Sequence, residues 1–293
     1  MSLVISLATK CQIPGQTAMT RADIPFYKMS GSGNDFIVVD NRTGVVEEKD
    51  LNQWIASVCR RKHSVGADGF ILIETSEQVD FKWRFFNADG GEVEMCGNGG
   101  RCAARLAHLK GIAGHNLSFE TKAGVIRAEV TDKRVKLEMP EPSRAKLDYP
   151  LEVKGKIFTV SSITVGVPHV VIWPKDVEKA PVFEAGSAIR YHERYAPAGT
   201  NVNFVQPFEN GSFAIRTYER GVENETLACG TGSVAAALVA SAKGMTGSPV
   251  AIHTRGGELL KIHFEKHGND YHNVFLEGDA IVVYEGKLWN EAA

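Results

Sequence analysis

The sequence predicts an α+β protein of two pseudo-symmetric units, each a curved, mainly antiparallel sheet wrapped around a central helix. Two observations support this fold class. Residues 95–99 and 228–232 are two copies of one motif, and a few helical patterns stand among many stretches of alternating apolar and polar residues. With 293 residues, the chain is long enough for two domains of about 100 to 150 residues each.

The repeat extends beyond the motif itself. Each copy has a cysteine, Cys96 or Cys229, followed by Gly, a polar residue and Gly, and then by an alanine-rich run that ends in Lys-Gly. The spacing to this Lys-Gly is the same in both copies, and Thr121 and Thr254 also stand at one distance from their cysteines. Matches at fixed spacing indicate a duplicated structural unit.

Composition excludes several classes of partner. The 33 basic and 35 acidic residues give a formal net charge of -2, so there is no general attraction to nucleic acid or to an anionic membrane. No apolar run approaches the roughly 20 residues that cross a bilayer. Residues 1–25 lack the basic start and long hydrophobic core of a signal peptide, and we interpret them as an N-terminal extension. A small molecule is the expected partner.

The cysteines indicate a compartment. The chain has five cysteines, without even pairing and without a CxxC motif, which argues against a disulfide framework and against a zinc site. We therefore expect a reducing cytoplasm and no bound metal. The five are Cys11, Cys59, Cys96, Cys102 and Cys229.

The first unit is predicted over residues 26–139. It begins with strands at residues 26–29 and 36–39, separated by a glycine-rich turn that contains Asn34. Asn34 either faces a ligand or simply forms the turn. A helix follows with its N-cap at Asp50, then strands at residues 70–73 and 81–86, the second ending in the turn of residues 87–90.

The first central helix is predicted to begin near residues 97–99. Its inner face would be Cys102, Leu106 and Leu109, and Gly111 would end it. Cys102 is therefore interpreted as a core thiol rather than a reactive one.

Alternating strands are predicted next at residues 119–130 and 134–139. The proline cluster at residues 140–142 marks the domain boundary, and the second unit covers residues 140–276. It contains a loop and helix at residues 176–191, the helix after Cys229, and strands at 151–153, 157–163, 169–173, 200–205, 213–218, 252–253 and 259–264. The tail at 280–284 is a last strand that the pattern assigns to neither unit.

A cysteine before Gly-x-Gly at a helix start has two chemical advantages. Uncovered backbone N–H groups and the positive helix end attract an anion, and the same field is expected to lower the thiol pKa from its usual value near 8.5. Either a nucleophile or a base is possible. A packed core cysteine is the alternative, but two cysteines at equivalent points of a repeat, Cys96 and Cys229, argue against it.

Two thiols facing each other across a pseudo-twofold axis suit one reaction in particular. A base removes a proton from one face of a carbon while an acid delivers a proton to the other, which inverts the centre. The paired helix ends would hold a carboxylate and stabilise the developing carbanion. A redox disulfide and a covalent nucleophile are the alternatives, although redox pairs usually form CxxC and a nucleophile needs a nearby His.

Taken together, the motifs closely resemble those of diaminopimelate epimerase. The resemblance runs from about residue 26 to about residue 286, with the motifs in the family's order. They are Ser30-Gly31-Ser32-Gly33-Asn34-Asp35-Phe36, Asn87-Ala88-Asp89-Gly90, Met95-Cys96-Gly97-Asn98-Gly99, Pro168-His169, Tyr218-Glu219-Arg220-Gly221 and Ala228-Cys229-Gly230-Thr231-Gly232.

This resemblance implies an amino-acid epimerase that uses neither pyridoxal phosphate nor a metal. It would interconvert LL- and meso-diaminopimelate on the bacterial route to lysine and peptidoglycan. The resemblance also implies that a C-terminal strand, at about residues 277–290, returns to the first unit. We further expect a homodimer.

The resemblance also implies roles for individual residues. Cys96 and Cys229 would be the acid/base pair, supported by His169 and Glu219 respectively. Backbone N–H groups of Gly97, Asn98, Gly230 and Thr231 would bind the reacting carboxylate. The remaining substrate ligands would be Asn34, Asn87, Asn201, Glu219 and, on the distal carboxylate, Arg220.

Each supporting residue also has a plainer interpretation. His169 alone would be a structural or surface histidine, Glu219 with Arg220 a solvated turn pair, and Asn87 a turn residue. One position departs from the family: Val167 stands where Asn often contacts the distal end of the substrate, and valine donates no hydrogen bond.

Other proteins of this fold are the nearest alternatives. Proline racemase and hydroxyproline epimerase also use two cysteines but usually carry His where Asn98 stands, and their ring substrates need no distal clamp like Arg220. An isomerase of the phenazine-biosynthesis type uses a carboxylate and lacks the cysteine pair. A non-catalytic amino-acid binder would be expected to lack at least one cysteine.

Overall fold

A computed structural model describes residues 23–292. It has four α-helices: α1 (Leu51–Cys59), α2 (Gly97–Leu109), α3 (Val182–Arg190) and α4 (Gly230–Ala242). The strands up to the predicted boundary are β1 (Ile24–Gly31), β2 (Asn34–Asp40), β3 (Gly69–Glu74), β4 (Phe81–Asn87), β5 (Glu92–Val93), β6 (Asn116–Thr121), β7 (Gly124–Thr131) and β8 (Arg134–Glu138).

Ten further strands follow the boundary, with one short 3-10 helix before β12 and another after β18. The strands are β9 (Lys146–Val153), β10 (Lys156–Val165), β11 (Val167–Ile172), β12 (Asn201–Pro207), β13 (Phe213–Glu219), β14 (Asn224–Thr226), β15 (Val250–His253), β16 (Leu259–His267), β17 (Asp270–Asp279) and β18 (Ile281–Leu288).

The strand pairing repeats between the two halves of the chain. β2 pairs with β3 in parallel, as β11 does with β12, and β4 pairs with β6 in parallel, as β13 does with β15. The remaining strand pairs are antiparallel, and β8 joins β17 to connect the halves into one sheet. The structure confirms the mainly antiparallel α+β class that the sequence predicts.

The C-terminal strand β18 pairs with β1, in the same way that β9 pairs with β10. The end of the chain thus completes the sheet of the N-terminal half, which agrees with the return that the family resemblance implies. Strand β1 begins at Ile24, whereas the rest of the predicted N-terminal extension, residues 1–22, lies outside the described residues.

Each central helix is surrounded by the apolar side of its own part of the sheet. α2 packs its buried small residues against Phe36, Trp83 and Phe119, and every side chain of α4 from Val234 to Ala240 is buried. Alanine and glycine let the sheet approach both helices closely, so the helix starts are held rigidly. The two helices are both 13 residues long and also contact each other.

Several local expectations differ from the structure. Leu109 is 54% exposed because it ends α2 beyond the core, and residues 119–130 form the β6–β7 hairpin rather than a single strand. Asp50 holds the N-cap position of α1 but makes no side-chain cap hydrogen bond. Strand β17 was not predicted. Within residues 23–292, no helix is long and apolar enough to span a membrane.

Candidate active site

Both repeat cysteines occupy the N-cap position of a central helix. Cys96 precedes α2 and Cys229 precedes α4, each with an extended backbone. The Sγ of Cys96 accepts a hydrogen bond from the Gly99 N–H at 3.5 Å, and the Sγ of Cys229 lies 3.6 Å from Thr231 Oγ1. The sequence therefore placed both cysteines correctly at their helix starts.

The two helix starts are open and positively polarised. Neither α2 nor α4 has an acidic residue in its first turn to neutralise the helix end. A side chain at Gly97 would meet nothing within 4 Å, whereas one at Gly232 would overlap the side-chain oxygen of Asn203. Gly97 therefore leaves backbone N–H groups uncovered for an anion, and Gly232 allows α4 to sit tightly on β12.

The helix starts approach each other across the two halves of the molecule. A Cβ added to Gly230, at the start of α4, would lie 3.9 Å from Asn98 Oδ1, in the first turn of α2. The helices α2 and α4 also contact each other, and Cys96 and Cys229 hold their N-cap positions. The structure thus brings together the two cysteine-capped helix starts that the sequence placed in equivalent positions.

Burial, rather than the helix field, dominates the ionisation of both thiols. It raises the pKa of Cys96, and it raises that of Cys229 to about 12. The nearby Glu219 carboxylate acts in the same direction on both, while hydrogen bonds at the helix starts act against it. The expectation of lowered thiol pKa values is therefore wrong, because loss of solvation outweighs the helix dipole.

Glu219 is the last residue of β13, where its carboxylate affects both thiols. Its Oε2 accepts a hydrogen bond of 2.8 Å from the hydroxyl of Thr226 on β14. Burial raises the Glu219 pKa, and the hydrogen bond from Thr226 lowers it in part. The structure thus places Glu219 beside the cysteine pair, and Thr226 is a partner that sequence reasoning did not find.

His169 lies on β11 and is 1% exposed. The side-chain amide of Asn203 donates to the Val170 carbonyl at 2.9 Å and lies 3.3 Å from His169 Nδ1. Because the Val170 carbonyl only accepts, the amide nitrogen faces His169, so Nδ1 is the acceptor and Nε2 carries the proton. That Nε2 is buried without a hydrogen-bond partner among the described residues.

The same histidine is held in its neutral form. Burial, assisted by the positive charge of Arg220, lowers the pKa of His169 to about 3. His169 thus presents a neutral N–H donor over the whole physiological range. Asn203, which fixes this tautomer, was missed by sequence reasoning, although Asn201 and Asn203 at alternate positions of an apolar strand place two buried amides on one face.

A second group of predicted residues surrounds His169. Asn201 is its partner in the parallel register of β11 and β12, and Asn201 Oδ1 accepts the backbone N–H of Arg220 at 2.8 Å. The Arg220 guanidinium donates to the Ala198 carbonyl at 3.1 Å. Since Arg220 follows Glu219 in the chain, this group adjoins the cysteine pair.

On the other side of the site, the Asn98 side chain donates to Asn34 Oδ1 at 2.8 Å. Asn98 also accepts from Arg101 Nη2 at 2.9 Å, a contact that sequence reasoning missed. Asn87 is exposed at the end of β4, and its backbone closes a turn with Gly91, which agrees with its plainer interpretation. Among the described residues, no group of three or more His, Cys, Asp or Glu side chains is arranged to hold a metal ion.

Solved structures share this architecture. A phenazine biosynthesis protein from Bacillus anthracis superposes with a TM-score of 0.68 at 14% identity, covering 90% of this chain and 98% of that one. A probable proline racemase from Agrobacterium radiobacter and a hydroxyproline epimerase from Agrobacterium vitis both give 0.66, at 14% and 15% identity, each covering 90% of this chain and 92% of the other. The chain therefore shares its fold with these three proteins.

Sequence comparison identifies the family. The diaminopimelate epimerase family model matches residues 26–145 and 161–283, and the chain belongs to this family. A diaminopimelate epimerase from Aquifex aeolicus is 47% identical over 91% of this chain and 98% of that protein. One from Chlorobaculum tepidum is 41% identical over 89% and 99% respectively. The chain is thus an isomerase of the epimerase type.

Proposed function

We propose that the chain interconverts LL- and meso-diaminopimelate by a two-base reaction in which Cys96 and Cys229 exchange roles. One observation carries the proposal. The two cysteines cap equivalent helices of a repeated fold, and these helices meet at their starts, where the Cβ position of Gly230 lies 3.9 Å from Asn98 Oδ1. The names of relatives that are up to 47% identical support the substrate.

The reaction needs one thiolate and one thiol. The thiolate removes the proton from the α-carbon, and the electron pair of the broken C–H bond stays on that carbon, next to the carboxylate. The other thiol delivers its proton to the opposite face and becomes the thiolate. The configuration is inverted, and the cysteine pair is left ready for the reverse reaction.

The helix starts bind the substrate carboxylate in this proposal. Backbone N–H groups of Gly97, Asn98, Gly230 and Thr231 surround it, and the absence of acidic residues in either first turn leaves both positive helix ends available. Negative charge grows on the carboxylate as the carbanion forms, so these donors act most strongly in the transition state.

Neighbouring side chains assist the pair. We assign His169 to Cys96, as the family resemblance implies, and its buried Nε2–H, which lacks a partner among residues 23–292, is available as a donor. Glu219 is assigned to Cys229, because its charge is the largest cause after burial of that thiol's raised pKa. Asn34, Asn87 and Asn201 would also hold the substrate.

Arg220 would take the distal carboxylate, where a planar guanidinium can form two parallel hydrogen bonds. Val167, partly buried at the start of β11, leaves that clamp without the amide donor often found in the family. The reaction as proposed uses neither pyridoxal phosphate nor a metal. A cytoplasmic homodimer acting in lysine and peptidoglycan synthesis remains our prediction.

The proposal is tested by a panel of LL-diaminopimelate, L-proline and L-glutamate, with the products resolved by chiral chromatography. We expect epimerisation of diaminopimelate alone. Cys96→Ala and Cys229→Ala should each abolish it, whereas Cys59→Ala, which removes a buried thiol in α1, should retain it. Turnover of L-proline, or substantial activity in either of the first two variants, would contradict the proposal.

A further inference from the structure

A chain of side-chain hydrogen bonds crosses the first half of the site. It begins at Arg101, whose Nη2 donates to Asn98 Oδ1 at 2.9 Å. Asn98 Nδ2 then donates to Asn34 Oδ1 at 2.8 Å, and Asn34 Nδ2 donates to Asp68 Oδ2 at 2.9 Å. The chain thus runs from a cation to an anion through two amides.

The two charged ends fix the direction of the chain. A guanidinium only donates hydrogen bonds and a carboxylate only accepts them, so each amide has one orientation that satisfies both neighbours. Both amide oxygens, of Asn98 and Asn34, already accept a hydrogen bond inside the chain and are held pointing along it. Each amide keeps a second N–H that it can donate to a ligand.

Both ends are themselves anchored. Arg101 is 0% exposed and also donates to the hydroxyl of Ser32 in the turn between β1 and β2. Asp68 accepts from Arg61 at 2.8 Å and from the backbone N–H of Asp35 at 3.3 Å. Neither the Arg101 nor the Asp68 side chain can change its orientation without breaking these contacts.

The chain lies where the two central helices meet. Asn98 stands in the first turn of α2, and its Oδ1 lies 3.9 Å from the Cβ position of Gly230 on α4. We propose that Arg101 and Asp68 are positioning residues that hold Asn98 and Asn34 as hydrogen-bond donors, so that this side of the site receives the substrate's α-carboxylate and disfavours its ammonium group. This inference rests on the proposed epimerase function.

Asp68→Asn is the most direct perturbation, because it keeps the shape of the side chain but can donate to Asn34 and so permit the reversed orientation. We expect KM for LL-diaminopimelate to rise about tenfold, with kcat changed less. The reason is that the Asn34 amide then no longer donates to a carboxylate, so nothing at this end fixes the direction of the chain. Asp40→Asn is the matched control. Asp40 ends β2, the strand that Asn34 begins, and pairs with Arg42, which is not part of the hydrogen-bond chain.

The opposite end provides a coupling test. Arg101→Lys, which retains a cation that only donates, should preserve more of the wild-type KM than Arg101→Met. Combined with Asp68→Asn, Arg101→Met should add little further effect, because both changes release the same chain. Multiplied effects in the double variant, or a wild-type KM in Asp68→Asn, would overturn the inference.

A measurement without substrate separates this inference from the proposed function. In ¹⁵N-labelled protein, the side-chain amides of Asn34 and Asn98 are identified by their loss in alanine variants. Asp68→Asn should shift both amides, although Asp68 contacts only Asn34 of the two, and Asp40→Asn should shift neither. If wild type fails to turn over diaminopimelate, the proposed function is wrong and the amide shifts still decide the inference. A shift of Asn34 alone would overturn it.

Discussion

Acid should destabilise the protein through His169. This side chain is 1% exposed, and burial lowers its pKa from 6.5 to about 3. Between those two pH values His169 is protonated in the unfolded chain but neutral in the folded chain, so the free energy of unfolding falls as the pH falls. This loss of unfolding free energy is absent well above pH 6.5 and grows by about 1.4 kcal/mol per pH unit below it.

The magnitude follows from these two pKa values. Acidification from about pH 6.5 to about pH 4.5 should cost the wild type about 2 kcal/mol through His169 alone. His169→Gln cannot bind the proton in either state and should lose this part of the slope. Carboxylates that titrate in the same range are present in both proteins and cancel in the comparison.

Urea unfolding at several pH values, followed by circular dichroism, measures the two slopes. His63→Gln, which removes an exposed histidine and keeps His169, should retain the wild-type slope. Parallel stability curves for wild type and His169→Gln would refute the reasoning, because they would show that His169 is protonated in the folded protein.

Two further predictions concern the thiols and the glycines. Burial raises the pKa of both thiols, to about 12 for Cys229. We therefore expect kcat/KM to rise with pH above neutrality, because one thiol is ionised more often. A profile that is flat from about pH 7 to about pH 9 would contradict this. In Gly232→Ala the new methyl group would overlap Asn203, so we expect a loss of about 1 to 3 kcal/mol of stability and a large loss of kcat. In the control Gly247→Ala the methyl group enters open space, and both thermal unfolding and activity should stay unchanged. A neutral Gly232→Ala would show that α4 is not held tightly on β12.

The cysteine helices could be predicted because their information is local. A cysteine, two nearby glycines and an alanine-rich run indicate a helix start, and the second copy of the motif supports the same assignment. The exposure of Leu109 was missed because periodicity places it on the inner face, whereas α2 has by then passed the edge of the core.

Long-range contacts could not be predicted in this way. Strand β17 was not predicted because a register shift in its pairing with β16 interrupts the alternation of apolar and polar residues. Polar residues also occupy its first part. Asn203 acts through partners on neighbouring strands, and nothing beside it in the sequence indicates these contacts. Arg101 contacts Asn98 within its own helix, but its burial and its contact with Ser32 depend on a distant turn. The raised thiol pKa values likewise depend on burial by the assembled sheet, which a helix motif alone does not specify.

The central claim is that two cysteines work on opposite faces of one carbon. Single-turnover epimerisation of each isomer in heavy water, followed by mass spectrometry of both pools, tests it most directly. The account predicts that early product carries solvent deuterium while recovered substrate remains largely unlabelled, in both directions. Equal early labelling of substrate and product would show that one base serves both faces and would contradict the account.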